Sequence, residues 1–293
     1  LEERGAFTMA IPGGSVAKAL KGLAEAKDLD WEKVHVFFVN ERPGEQKCAK
    51  LAVETWTEAC GIPEANVHRV METGDMELAA AEYERQMRTL DESQLPIDEE
   101  NGMPVFDLIL LGMGADGHVG SIYPNSPAAN DESGACVLGV NMPSKVSVTM
   151  SMPLINTADR VVLAATGSEK AEIVRASLED ELEWGEIPGS MVDAFSTIWF
   201  LDLAAASLLS AYEDIDIDGD ETVMSYSDST VTAPRNAPHV TRLPSPSSAT
   251  TQALVSPDRR RAVTRGAAAF RPRHCSTDRL MPFLPGSHAP SLQ

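Results

Sequence analysis

Phe106-Asp-Leu-Ile-Leu-Leu-Gly-Met-Gly-Ala-Asp-Gly-His-Val-Gly-Ser-Ile-Tyr-Pro124 is the stretch whose reading decides the fold. Residues 105–111 (VFDLILL) form a short apolar run of the kind a strand shows when it is buried on both faces. The run leads into Gly112, Gly114 and Gly117, which let the backbone turn sharply at the carboxyl end of that strand. In an open parallel sheet, ligands bind at that end.

The three glycines formally match a dinucleotide fingerprint, but the residues between and after them argue against it. Asp116 puts a negative charge where a pyrophosphate must approach. His118 occupies the position that should open a long helix, and Pro124 interrupts any such helix within about two turns. Asp116 and His118 make better sense as chemistry: an imidazole beside a carboxylate can move a proton to or from water near pH 7. The plainer alternative is that His118 caps a following helix or bonds only within the loop.

Outward from this loop, apolar runs alternate with helix-periodic stretches. Residues 34–39 (VHVFFV) and 160–166 (RVVLAAT) read as buried strands, 146–152 (VSVTMSM) as an alternating one, and 197–201 as a short one. Helical periodicity covers 16–26, 49–60, 76–90 and 169–179, and a last amphipathic helix is expected over 202–209. Repeated strand–helix–strand order implies an α/β domain: a mainly parallel open sheet with helices on both faces.

The domain is expected to span residues 1–211, starting at Leu1 on the approach to a strand, which reads as a fragment. Residues 212–228 follow as an acidic linker. Asp214, Asp216, Asp218 and Gly219 faintly suggest a calcium loop, but Ser225 stands where its closing Glu should be. Residues 229–293 are rich in Ser, Pro, Thr, Ala and Arg, with nine Arg and two Asp but neither Lys nor Glu. So few large apolar side chains cannot offset ordering entropy, so a disordered C-terminal tail is expected.

A net charge of −20 argues against nucleic acid as a partner, since a phosphate backbone demands a basic surface. It leaves room for a small anionic ligand in a locally positive pocket. No stretch approaches ~18 uncharged apolar residues, so no membrane span is expected. Cys48, Cys60, Cys136 and Cys275 show no CxxC pairing or clustered histidines, which fits ordinary thiols in a reducing compartment and no metal site.

Gly112-Met-Gly-Ala-Asp-Gly-His-Val-Gly-Ser-Ile-Tyr-Pro124 resembles the G-x-G-x-D-G-H-x-x-S-x-F-P signature of the 6-phosphogluconolactonases, with Tyr123 for the usual Phe. Five further blocks follow the family's order: Ile11-Pro-Gly-Gly-Ser15, Val36-Phe-Phe-Val-Asn-Glu-Arg42, Pro153-Leu-Ile-Asn156, Thr166-Gly-Ser-Glu-Lys170 and Trp199-Phe-Leu-Asp202. The resemblance covers residues 5–210 and implies a Rossmann-like sheet of the NagB/RpiA type. It also implies hydrolysis of 6-phospho-D-glucono-1,5-lactone in the oxidative pentose phosphate pathway, with no cofactor and no metal.

On that resemblance His118 is the catalytic base and Asp116 its support, with phosphate held by Gly13, Gly14, Ser15, Arg42 and Lys145 or Lys170. The physical reading agrees. Gly13, Gly14 and Ser15 lie between a strand and a helix start, where exposed N–H groups can receive an anion, although a plain tight turn has the same residues. Arg42 follows a buried strand and can grip a phosphate by its planar fork. Lys170 sits at a helix start, which a bound anion would explain. The expected compartment is the cytoplasm, or the plastid if a transit peptide preceded this sequence.

Several departures bear on phosphate affinity more than on hydrolysis. Asn40 replaces the family's Asp, Pro43-Gly-Glu-Gln-Lys-Cys48 is short and lacks a Ser-Asn pair, and Ser147 stands where an Arg is usual. The family's strand and helix ahead of the glycine loop are also missing. Two rival readings follow. A glucosamine-6-phosphate deaminase would carry a Glu within Ser121-Ile-Tyr-Pro124. A non-catalytic member would bind phosphosugar without turnover.

Overall fold

The computed structural model describes residues 4–142 and 145–210, with backbone alone for Lys145, and the backbone of three short strands beyond. The chain begins with β1 (Phe7–Ile11), α1 (Gly14–Ala19), β2 (Val34–Phe38), β3 (Asn40–Glu41) and α2 (Lys47–Ala52). A π-turn at Val53–Thr57 continues α2 into α3 (Glu58–Cys60), and α4 (Met76–Arg88) and β4 (Leu108–Gly112) follow. Then come β5 (Val137–Met142), β6 (Lys145–Met150), α5 (Met152–Thr157), β7 (Val161–Ala165), α6 (Ala171–Glu179) and β8 (Thr197–Leu201).

Strands β8, β7, β4, β1 and β2 lie in that order, all parallel. Their side chains alternate between two apolar cores, as the twofold period of a strand dictates. Met9, Ile11, Val36, Phe38 and Leu110 face the core that α2 covers with Ala49 and Ala52. Ala10, Phe37, Ile109 and Leu111 face the other, with Tyr83 of α4, Leu154 of α5 and Val174 of α6. Both faces are therefore buried, which is why these strands read as unbroken apolar runs.

β1 has β2 on one side and β4 on the other, so the chain reverses its direction of travel across the sheet between β1 and β4. The loops after those strands diverge there and leave a crevice at the carboxyl rim.

Three sequence expectations change. Residues 146–152 do not join the parallel sheet: β6 pairs antiparallel with β5 and β3 in a separate three-stranded sheet. Val39 links the two sheets, its N–H reaching the Ile11 carbonyl at 2.9 Å and its carbonyl accepting from Met150 at 2.7 Å. The strand expected over 105–111 starts only at Leu108, because Asp107 bonds instead to the Thr8 amide at 2.7 Å and to Arg4. The helix expected over 202–209 is a run of turns. The Asp202 carboxylate is drawn to the Gly167 amide at 3.1 Å as well as to Ala205.

Beyond residue 210 the described residues are β9 (Glu213–Ile217), β10 (Glu221–Ser225) and β11 (His239–Arg242). β9 and β10 pair antiparallel within the segment read as a linker. β11, in the segment expected to be disordered, runs parallel beside β8, where the β-branched Val240 and Thr241 suit an edge strand. The rest of the expected linker and tail lies outside the described residues. Among those described, no helix is long and apolar enough to cross a membrane.

Candidate functional site

The loops after β4, β1 and β2 surround a cleft of about 670 Å³. The strand ends contribute Pro12, Gly13, Asn40, Glu41, Arg42 and Gly112, and the glycine loop contributes His118 and Gly120. α1 presents Gly14 and Lys18, one turn apart. α2 presents Lys47, Lys50 and Leu51, and Glu54 extends the same face by another turn.

Backbone bonds hold the loop after β4 tight. Met113 bridges Val119, and the Gly114 amide donates to the His118 carbonyl at 2.9 Å. Gly117 takes a left-handed φ of +83°, where a Cβ would also collide with Ile187 at 2.5 Å. The turn folds the Asp116 carboxylate back onto His118: Oδ1 is bonded to the ring Nδ1 and accepts from the His118 amide at 3.3 Å.

That bond decides what the ring can do. A carboxylate on Nδ1 fixes the proton there and leaves Nε2 with its lone pair, the form a general base needs. The Tyr123 ring stands 4.8 Å from the imidazole, centroid to centroid. Partial burial pushes the Asp116 carboxyl up, but hydrogen bonds from the His118 ring and amide outweigh this and hold it below its ordinary value. Asp116 therefore stays anionic and keeps orienting the ring at neutral pH.

Glu41 organises the opposite side. Buried at 1% exposure, it accepts from the amides of Arg42 at 2.8 Å, Cys48 at 3.2 Å and Ala49 at 2.9 Å. It does for the start of α2 what a cap would, because Gln46 ahead of the helix is left-handed and bonds elsewhere. Arg42, half exposed, reaches Glu45 at 3.5 Å. Cys48 packs against Gly13, where a Cβ would stand 2.8 Å from Sγ. Burial, with Glu41 beside it, pushes its thiol up to about 12, so it is no nucleophile at neutral pH.

Among the described residues no hydrogen bond joins Asn40 to Arg42. Asn40 donates to Ser121 Oγ at 3.2 Å, and the Ser121 amide donates to Thr149 Oγ1 at 3.1 Å. Gly120, at φ +56°, lies against Thr149 and Val39. This chain of contacts ties the segment after His118 to the small antiparallel sheet. Asn40 thus braces the loop.

Of the residues named from sequence, Gly13, Gly14, Arg42 and His118 line one cleft, and Asp116 stands behind His118. Ser15 and Lys170 do not line it. Lys170 lies just ahead of α6 at the same rim, one turn before Ile173, which borders Gly117. The Lys145 side chain lies outside the described residues. Sequence reading missed Lys18, Lys47 and Lys50. The available signal was the spacing of 14 with 18, and of 47 with 50, 51 and 54, which places each set on one helix face. Among the described residues, no group of three His, Cys, Asp or Glu could hold a metal ion.

A sequence model described as "Glucosamine-6-phosphate isomerases/6-phosphogluconolactonase" matches residues 1–199. The chain belongs to this family. Its relatives include 6-phosphogluconolactonase 3, chloroplastic, of Arabidopsis thaliana, 37% identical over 71% of this chain and 67% of that one. Probable 6-phosphogluconolactonase 3, chloroplastic, of Oryza sativa subsp. indica is 36% identical over 71% of this chain and 68% of that one. Among solved structures, 6-phosphogluconolactonase from Trypanosoma cruzi superposes with a TM-score of 0.59 at 27% identity, covering 71% of this chain and 87% of that one. The family's fold is the one described above.

Proposed function

We propose that this chain hydrolyses 6-phospho-D-glucono-1,5-lactone to 6-phospho-D-gluconate, the lactonase step of the oxidative pentose phosphate pathway. The observation that carries this reading is the cleft. It joins an imidazole with a free Nε2, oriented by Asp116, to an anion-binding side formed by Gly13, Gly14 and Arg42. The names of its relatives support the same activity.

In this reading the phosphate rests on the backbone of Gly13 and Gly14 and on Arg42. His118 Nε2 takes a proton from water as its oxygen bonds to the lactone carbonyl carbon. When the tetrahedral intermediate collapses, the bond from that carbon to the ring oxygen breaks, and the imidazolium gives its proton to the departing oxygen. Asp116 stabilises the imidazolium in between. Positioning plus one general base, worth ~10²–10⁴-fold, suits a substrate that already hydrolyses readily.

Tyr123 stands where a deaminase would carry its Glu, so no carboxylate is supplied there. The reducing compartment that the cysteines imply fits cytoplasm and plastid, and the chloroplastic relatives favour the plastid. The deciding experiment is spectrophotometric loss of the lactone with wild type and His118→Ala. Catalysed loss that falls at least a hundredfold in the variant supports the reading. A wild type that binds phosphosugar without turnover, or a fully active variant, overturns it.

A further inference from the structure

The cations along the cleft are not equivalent. Arg42 and Lys47 both pair with Glu45, and Lys50 donates to the Glu45 carbonyl at 2.8 Å. Lys18 is different: among the described residues no carboxylate or carbonyl is bonded to it. It is exposed, and it shares one face of α1 with Gly14. A helical side chain leans toward the helix N-terminus and covers the turn before its own Cα. For Lys18 that turn is Gly14, which has no side chain and open space where a Cβ would stand. The ammonium therefore has clear access to the glycine loop and the mouth of the cleft.

We infer that Lys18 is a specificity-determining residue, an ammonium that holds the phosphate end of the substrate over Gly13 and Gly14. The inference rests on the lactonase reading for its substrate but concerns a residue outside the proton-transfer machinery. The surrounding charge supports it. On a chain of net charge −20, an unpaired lysine aimed into a cleft raises the local potential where a dianion must enter. Glu41, the buried carboxylate lining the cleft, accepts from three backbone amides and does not pair with Lys18.

The test compares wild type, Lys18→Gln and Lys18→Arg on the phosphorylated lactone and on unphosphorylated glucono-1,5-lactone. Lys18→Gln should raise KM for the phosphorylated substrate about five- to twentyfold with kcat within twofold, and Lys18→Arg should restore it. With the unphosphorylated lactone, all three should behave alike. An unchanged KM in Lys18→Gln, or an equal change on both lactones, overturns the inference. Titration of 6-phosphogluconate by calorimetry judges Lys18 separately from the activity. Should the wild type turn over neither lactone, the lactonase reading falls, and weaker binding in Lys18→Gln than in wild type still decides the role of the lysine. Equal binding would overturn it.

Discussion

Gly114 lies so close beneath His118 that a Cβ there would stand 2.1 Å from the ring Nδ1 and 2.7 Å from the Asp116 carboxylate. The glycine is therefore part of what sets the imidazole, because no side chain fits without moving the ring or breaking its bond. Gly114→Ala is expected to lower kcat about as far as loss of His118, roughly a hundredfold or more, with KM little changed. Steady-state kinetics beside a thermal melt would check it. An active Gly114→Ala would mean that the ring has another working position.

Asp116→Asn keeps the shape of that loop but replaces the acceptor on Nδ1 with an amide that can turn its NH₂ toward the ring. The ring then has no anion to stabilise its charged form. kcat should fall about ten- to a thousandfold while KM for the phosphorylated lactone stays within about threefold. Equal losses in both parameters would instead place Asp116 on the substrate.

Glu41→Ala should destabilise the domain by about 3 kcal/mol, since three buried amides lose an acceptor that is charged and enclosed. Glu41→Gln keeps one acceptor oxygen and should cost about half of that. Urea unfolding gives both numbers. A change below about 1 kcal/mol in Glu41→Ala would show that α2 does not depend on this side chain.

A buried pair at the opposite end of the strands predicts the response to acid. His35 Nδ1 and His68 Nε2 are 3.0 Å apart, and His68 also stacks on Phe37. Burial, and then the neighbouring His35, lowers His68 from 6.5 to about 4, and burial lowers His35 too. Between those limits the unfolded chain binds more protons than the folded one, so stability is full above pH 6.5 and falls as the pH drops toward 4. The slope from His68 is at most about 1.4 kcal/mol per pH unit. The stability difference between wild type and His68→Gln, followed by urea midpoint over that range, should shrink as the pH falls. A constant difference would show that the pair is not titrating.

The sequence made the parallel sheet legible because burial on both faces leaves long apolar runs, as in 34–39 and 160–166. It hid β5, where Gly139 and Asn141 break the run, and gave no sign that β6 belongs to a second sheet, since pairing partners are not encoded in periodicity. In the site, the glycine–histidine loop was readable because its chemistry is local: Asp116 and His118 are two residues apart. The cations on α1 and α2 were not. Which face of a six-residue helix meets a cleft depends on packing that no short window reports.

The two sides of the cleft grow from different cores. Met113, Val119 and Ile122 root the histidine loop in one, whereas Cys48, Ala49 and Ala52 root the lysine-bearing helix in the other, across the sheet. In the proposed reading, recognition and proton transfer are thus mounted on separate foundations. A designer, or natural drift, can recast the anion-gripping half for a differently charged lactone while leaving the reactive half undisturbed.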